Sequence, residues 1–403
     1  MQAITAAIGE GRSLLERGNL GGARSLFLAL EREHPESPDV QLWLARLDGL
    51  DMNGDKERAI SRIKQVLERF PASPEAQELL GAGLLAARRA AEALPILQAA
   101  VARNDASEGA HLNLGVCHCR LGNLDLAANE LARALEINPD SDAALYEKSL
   151  VLALRGKLQE AISALVATLR INPLHLPACL TLGSLYRRSG HLEQLITLYE
   201  GALKVNPRAL QLREELFDVY LTCESPGDAH VHARALAEQR GGERDWLRAG
   251  ESALALGKFE EAEQAFANAA RREPQGWEAH YRLGELYLAA RLYDAAEKAL
   301  ADSIARAGDV FLPFNAMGQL LMHAGRPAEA HEYLLSALER APMRPEPVLN
   351  AALACAMRQD WSSAERFALA AASISAPGSH NHSEATRLLS EIQAQQAPSN
   401  QVP

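Results

Sequence analysis

The tightest group of side chains able to bind a metal lies in one short segment, with His111, Cys117, His118 and Cys119. Zinc sites need ligands that converge tetrahedrally, usually spaced as Cys-x-x-Cys or His-x-x-x-His. This segment has neither spacing, and on a helix Cys119 points away from the face that His111 and His118 share. We interpret all four residues as packing residues. The sequence predicts no metal and no other cofactor.

Two further histidine pairs and the usual catalytic motifs give no stronger signal. His230 and His232 are two residues apart and would point to different faces of a helix, and His380 and His382 fall in a predicted loop that could take up adventitious metal. Gly-x-Ser-x-Gly, phosphate-loop and Gly-x-Gly-x-x-Gly motifs do not occur. Carboxylates recur at the spacing of a solvated helix surface. The sequence therefore predicts a protein that is not an enzyme.

Composition narrows the class of partner. The 403 residues carry a net charge of −11, and 48% of them are hydrophobic. Residues 1–209 carry 23 basic and 25 acidic side chains, against 18 and 27 in residues 210–403. An acidic chain without a basic stripe is poorly suited to bind nucleic acid, which favours a protein or peptide partner.

The five cysteines and the lengths of the apolar runs indicate the cellular compartment in which we expect the protein. The cysteines are odd in number and mostly scattered through apolar segments, which is typical of reduced thiols. No apolar run approaches the roughly 20 residues that span a bilayer, and the first residues lack the pattern of a signal peptide. We expect a cytoplasmic protein that does not insert into membranes.

A repeat of about 34 residues organises the chain. An alanine, replaced once by leucine, recurs in eleven units at steps of 33 to 36 residues. These positions are Ala23, Ala59, Ala93, Ala127, Ala161, Leu195, Ala229, Ala262, Ala296, Ala330 and Ala364. In most units a small residue lies twelve positions earlier, a turn glycine five positions earlier, a large apolar residue four later and a proline twelve later. Such a fixed period is typical of repeat architectures.

Each unit has the pattern of two amphipathic helices. In the fourth unit, residues 109–121 and 124–137 place apolar residues at helical spacing. Gly122 can adopt the left-handed backbone that ends the first helix, and Pro139 cannot continue the second. Gly115 and Ala127 are small, so the paired helices can approach closely. One such hairpin cannot bury its apolar side alone, so the units must stack.

These positions resemble the tetratricopeptide repeat family, with its small residue at position 8, alanine at 20, aromatic residue or leucine at 24 and proline at 32. Trp43 and Trp246 match the aromatic position 4. The resemblance covers residues 4–377 and implies an all-α, right-handed solenoid, or superhelix, of antiparallel helix hairpins. It also implies that the first helix of each repeat lines a concave groove.

The repeat phase also predicts the domain organisation. We expect repeats one to six in 1–209, a divergent repeat seven that serves as a hinge in 210–242, and repeats eight to eleven in 243–377. Phe217 occupies a small-residue position of repeat seven, and that repeat lacks the proline. A C-terminal capping helix is expected in 378–394 and a disordered tail in 395–403.

The resemblance places positions 2, 5, 6, 9, 12 and 13 of each first helix in the groove. In repeats three to six several are apolar, including Leu85, and in repeats eight to ten they are mostly polar, including Glu251. The predicted partner-binding residues are Leu112, Asn113, Val116, Tyr146, Leu150, Leu180, Arg244, Arg248, Tyr281, Arg282, Glu285, Asn315 and Gln319. Some relatives clamp a peptide's C-terminal carboxylates with Lys and Asn. Here Glu78 and Ala82 replace those residues before Asn113, so that activity is not expected.

The expected function is a non-enzymatic adaptor or scaffold that binds a peptide or helix of a partner protein in the groove. Two alternatives stay open at the level of the sequence. The groove could serve self-assembly into a structural homo-oligomer, or the chain could be a regulatory subunit of a larger enzyme or secretion complex. The sequence does not tell which half of the groove is used.

Overall fold

A computed structural model describes residues 2–50 and 56–396, and within these ranges all regular structure is helical. The predicted all-α solenoid of helix hairpins is confirmed. The described ranges contain 23 helices. They are α1 (Gln2–Glu16), α2 (Leu20–Glu33), α3 (Pro38–Leu50), α4 (Lys56–Arg69), α5 (Pro74–Ala86), α6 (Ala90–Arg103), α7 (Glu108–Arg120), α8 (Leu124–Ile137), α9 (Asp142–Leu154), α10 (Leu158–Ile171), α11 (Leu176–Arg188), α12 (Leu192–Val205), α13 (Leu210–Thr222), α14 (Pro226–Arg240), α15 (Glu243–Ala255), α16 (Phe259–Arg272), α17 (Glu278–Ala289), α18 (Tyr293–Ala307), α19 (Leu312–His323), α20 (Pro327–Arg340), α21 (Pro345–Met357), α22 (Trp361–Ile374) and α23 (His380–Gln396).

The first 22 helices pair into eleven hairpins, one for each repeat, and successive hairpins pack on one another within each compact unit. The turn inside a hairpin uses a residue in the left-handed backbone region. Glycine serves in most repeats, as in Gly122 with φ of 81°, and the predicted turn residue Gly54 lies outside the described residues. Four repeats place a side-chain-bearing residue there instead, namely Arg88, Glu224, Arg291 and Gln359. The turn geometry therefore belongs to the repeat and does not depend on glycine.

Small residues let the two helices of a hairpin approach closely. Ala127 on α8 is fully buried, and so is Leu131 one turn later. Leu131 lies over Gly115 of α7, where an added Cβ would come within 2.8 Å of the Leu131 side chain. The same arrangement recurs in repeat nine, where Leu300 lies over Gly284. Close packing of this kind makes the repeat intolerant of larger residues at these positions.

Serine fixes where several first helices begin. Ser107 and Ser141 are the N-caps of α7 and α9, and each hydroxyl accepts a hydrogen bond from a backbone N–H of the first turn. Each hydroxyl also donates to a carboxylate of the preceding repeat, Ser107 to Glu78 over 2.7 Å and Ser141 to Glu108 over 2.6 Å. The caps therefore start the helices and also join adjacent repeats.

Contacts divide the chain into two compact units, one ending at Pro207 and the other beginning at Arg208. Repeat seven belongs to the second unit, where α14 packs closely on α15. Ala229, Ala233 and Ala237 of α14 are buried in a cluster with Ala249 of α15. The role of 210–242 as a hinge stays a prediction.

The last helix, α23, packs on α22 and α21 through buried Ala385, Leu388 and Ile392. The role of this helix as a C-terminal cap over 378–394 stays a prediction. The helix begins at His380 and continues to Gln396, so His380 and His382 lie in its first turn, not in the predicted loop. Most of the predicted disordered tail, residues 397–403, lies outside the described residues.

Candidate functional site

The first helices of neighbouring repeats come together along one face of each unit. In the first unit α3 contacts α5, α5 contacts α7 and α7 contacts α9, and in the second α17 contacts α19 and α19 contacts α21. Second helices of neighbouring repeats show no comparable contact in the described parts of the chain. We call the surface made by the first helices the first-helix face. All thirteen predicted partner-binding residues lie on helices that form it.

In the first unit this face is apolar and partly open. The residues that make it so are all partly buried: Leu112 and Val116 on α7, Tyr146 and Leu150 on α9, and Leu180 on α11. We refer to these five as the apolar face. Asn113 is also partly buried on α7. Leu85 is different, because only 3% of it is exposed and it belongs to the core of the unit. The interpretation of Leu85 as a groove residue was wrong.

Packing underneath holds the apolar face in place. Leu112 packs against the cluster of Ala127, Leu131 and Val151, so α8 of its own repeat and α9 of the next one support it from behind. Tyr146 packs against the buried core of repeats five and six. Its ring centroid lies 4.8 Å from that of His175, the N-cap of α11. These supports fix the side chains while leaving part of each in contact with solvent.

Sequence reasoning missed two residues of this face. Leu154 ends α9 with 65% of its surface exposed and occupies position 13 of repeat five, one of the inward positions. Glu147 lies on α9 between Tyr146 and Leu150 and is partly buried. It was overlooked because only the apolar inward positions of these repeats were considered. Glu147 occupies position 6 of repeat five, which is one of the inward positions, and this would have identified it.

In the second unit several polar side chains of the first-helix face bond to each other. Arg282 donates to Glu251 over 2.7 Å and to Glu285 over 3.1 Å, which links α17 to α15. The hydroxyl of Tyr281 donates to Glu285 over 2.6 Å, and only 9% of Tyr281 is exposed. Burial, together with the hydrogen bond to Glu285, raises the pKa of Tyr281 well above its ordinary value.

A buried amide pair continues this arrangement into the last repeats. Asn350 on α21 donates from Nδ2 to Oδ1 of Asn315 on α19 over 2.8 Å, and both residues are buried. Gln319 lies one turn further along α19 and is partly buried. Asn350 was not identified from the sequence. We call Glu251, Tyr281, Arg282, Glu285, Asn315 and Asn350 the paired face.

The two remaining predicted residues lie on α15. Arg244 is exposed, and Arg248 lies with its guanidinium 5.5 Å from the ring centroid of Phe217. The lining of a cavity of about 520 Å³ includes both arginines and also acidic residues such as Glu215 and Asp218. The cavity thus carries charges of both signs.

His111 and Cys117, which were considered as metal ligands, make polar contacts within the protein. His111 is buried, with Nδ1 2.7 Å from a carboxylate oxygen of Glu130 and Nε2 3.1 Å from the backbone oxygen of Asp105. The thiol of Cys117 donates to the carbonyl oxygen of Ala90 over 3.2 Å. In the described ranges no three His, Cys, Asp or Glu residues form a group that could hold a metal.

His230 and His232 point to different neighbours. His230 lies between Ser252 and Glu261, with Nδ1 2.9 Å from the serine Oγ and Nε2 2.9 Å from a carboxylate oxygen. These are the residue types of a hydrolytic triad. However, Ser252 is buried and its hydroxyl donates to the carbonyl oxygen of Ala249. The arrangement therefore joins α14, α15 and α16 without presenting a nucleophile to a substrate. His232 instead stacks on Tyr220.

Sequence profiles of known families match most of the chain. Sequence profiles described as tetratricopeptide repeat match residues 14–82, 84–148, 247–309 and 315–380. A third profile, the N-terminal TPR repeats region of Psidin, matches residues 120–247. A search of curated protein sequences gives no match. Among the helices of the described residues, none is long and apolar enough to cross a membrane.

Solved structures of similar fold include a thermophilic TPR protein from Thermus thermophilus, with 24% identity and a TM-score of 0.40. The match covers 45% of this chain and 97% of that one. The structure of yeast Tom70 matches over 98% of this chain and 96% of its own, with 12% identity and a TM-score of 0.42.

Proposed function

Because the chain belongs to the tetratricopeptide repeat family, whose members generally serve as protein–protein interaction scaffolds, we propose that it is a non-enzymatic adaptor. Its apolar face receives a peptide or helix of a partner protein. The observation that carries this proposal is the set of partly open apolar side chains on α7, α9 and α11, with Leu154 exposed beside them. An apolar surface of this kind is typical of a contact site.

The apolar face supports the proposal better than the paired face does. A partner that bound the paired face would have to compete with the bonds of Arg282 to Glu251 and Glu285, which the chain already makes. A partner that covers Leu112, Tyr146 and Leu150 removes apolar surface from water and breaks no bond. Burying such surface contributes about 25 cal/mol per Å² before the costs of association.

The test is to introduce carboxylates into the apolar face. We expect wild-type protein to enrich binders from a random dodecapeptide display library, and the double substitution Leu112→Asp with Leu150→Asp to abolish that enrichment. An introduced carboxylate would have to be desolvated when a partner covers it. The control is Leu126→Asp with Leu158→Asp, two exposed leucines on the second helices of the same repeats.

The two doubles separate binding from folding. Circular dichroism should show both variants folded, with a larger decrease in melting temperature for the first because Leu112 has support from the core. A folded Leu112→Asp, Leu150→Asp protein that still enriches the same peptides would contradict the proposal. Light scattering over a concentration series should show a constant monomer mass. Growth of the mass with concentration would instead favour the self-assembling structural subunit.

A further inference from the structure

One carboxylate lies among the apolar side chains of the apolar face. Glu147 occupies α9 directly after Tyr146 and one turn before Leu150, and it is partly buried. Within residues 2–50 and 56–396 it makes no hydrogen bond and no ion pair. Removing a carboxylate from water is costly unless a donor or a cation replaces the lost hydration.

The charged group that faces Glu147 from the neighbouring helix does not provide this replacement. Arg120 ends α7 and lowers the pKa of Glu147, but burial has the larger effect and raises the pKa above its ordinary value. The guanidinium of Arg120 donates to the backbone oxygen of Leu85. Arg120 therefore lies near Glu147 but is held by another acceptor.

Five other glutamates on the first helices have a hydrogen-bond donor or a cation within the chain. Glu78 and Glu108 accept from the N-cap serines of the next repeat, and Glu75 pairs with Arg46 at 2.9 Å. Glu251 and Glu285 both bind Arg282. Glu147 differs from these five because its carboxylate has no such donor among the described residues, although it lies on the surface that we propose for binding.

We propose that Glu147 receives a cationic side chain of the partner, a lysine ammonium or an arginine guanidinium, carried on a segment whose apolar residues cover the apolar face. This inference rests on the proposed function and specifies the chemistry of the partner. The partner's cation supplies the missing donor, and the surrounding leucines and Tyr146 exclude water from the pair.

The test uses three fluorescent pools of randomised dodecapeptides. All contain the same apolar residues, mixed with lysine in one pool, serine in the second and glutamate in the third. We expect wild-type protein to bind the lysine pool about tenfold more tightly than the serine pool, as measured by fluorescence anisotropy, since hydrogen bonds to charged groups are the stronger class. Near-physiological salt limits long-range attraction to the acidic chain.

Two substitutions and one control assign the preference to Glu147. Glu147→Gln should remove the preference for lysine over serine, and Glu147→Lys should transfer the preference to the glutamate pool. Glu160→Gln makes the same change of charge on α10, where Glu160 is exposed and pairs with Lys157. It should keep the wild-type preference.

The outcomes separate this inference from the function on which it rests. Equal binding of the lysine and serine pools by wild type, or a lysine preference that survives in Glu147→Gln, would overturn the role of Glu147 and leave an apolar binding face. Failure of all three pools to bind would overturn both. Circular dichroism of each variant confirms that loss of preference does not reflect unfolding.

Discussion

The apolar face and the paired face are both formed by the first helices of their repeats. They differ in whether their polar side chains bond within the chain. On the paired face, charged and polar groups bond to one another, as Arg282 does with Glu251 and Glu285. On the apolar face, Leu150 is partly open and Glu147 makes no ion pair with the described residues. Polar residues at groove positions therefore do not by themselves indicate a binding site. The available groups are those that the fold leaves unsatisfied.

The largest expected effect comes from overfilling the hairpin behind either face. Ala127→Trp should destabilise the first unit by about 3 kcal/mol or more, because an indole must enter the contact between α7 and α8 where Ala127 is fully buried. Ala296→Trp is the matched change behind the paired face. We expect urea unfolding to show a similar loss of stability for both, while only Ala127→Trp abolishes peptide binding. A melting temperature of Ala127→Trp within about a degree of wild type would contradict the assigned repeat phase.

The buried amide pair of the paired face can be compared with Asn113, a partly buried amide on α7. Asn350→Ala should destabilise the protein by about 1 to 3 kcal/mol, because it leaves the buried amide of Asn315 without its donor. Asn113→Ala on the apolar face should cost about 0.5 kcal/mol or less, because Asn113 is only partly buried. Urea unfolding measures both. Equal losses of unfolding free energy for the two changes would contradict the idea that polar groups are bonded on the paired face and open on the apolar face.

A smaller effect follows from the two tyrosines at position 5 of their repeats. Tyr281→Phe should cost about 1 kcal/mol, since the hydroxyl donates to Glu285. Tyr146→Phe should change stability by only a few tenths of a kcal/mol, because Tyr146 contributes its ring to the His175 contact. Thermal melts at constant pH compare the two. A larger loss for Tyr146→Phe would show that its hydroxyl, not its ring, holds the apolar face.

The repeat period was sufficient to predict the fold, because small residues such as Gly115 and Ala127 can only serve close helix packing at those positions. The turns in repeats three, seven, nine and eleven could not be predicted, since Arg88 and Glu224 adopt the left-handed backbone without being glycine. The resemblance was enough to select the first helices as the ones that form the first-helix face. It did not predict which side chains of that face bond to each other. Whether a side chain such as Asn315 is satisfied depends on a residue 35 positions away, and no local pattern contains that information.

The smallest expected effect on stability concerns Glu147. Replacing it should stabilise the protein, whereas the substitutions above should destabilise it. Burial raises its folded-state pKa above the ordinary 4.5, so the fold favours the protonated form. The stability associated with protonation is present below the ordinary pKa and is lost as the pH rises through the raised folded-state value. Arg120 opposes this shift, and Cys119, also on α7, lies near the carboxylate. At neutral pH the ionised carboxylate of Glu147 should therefore lower the stability of the fold, although we propose that it serves binding.

Glu147→Gln removes the charge at every pH and should raise the melting temperature at neutral pH. The gain should diminish as the pH falls toward 4.5, because wild-type Glu147 then becomes protonated and behaves like the amide. Glu160→Gln should show no such gain, since Glu160 is exposed and pairs with Lys157. Thermal melts of the three proteins over this pH range measure the difference. A neutral-pH melting temperature that is lower in Glu147→Gln than in wild type would mean that the carboxylate already has a stabilising partner within the chain, so the apolar face would be satisfied in the same way as the paired face.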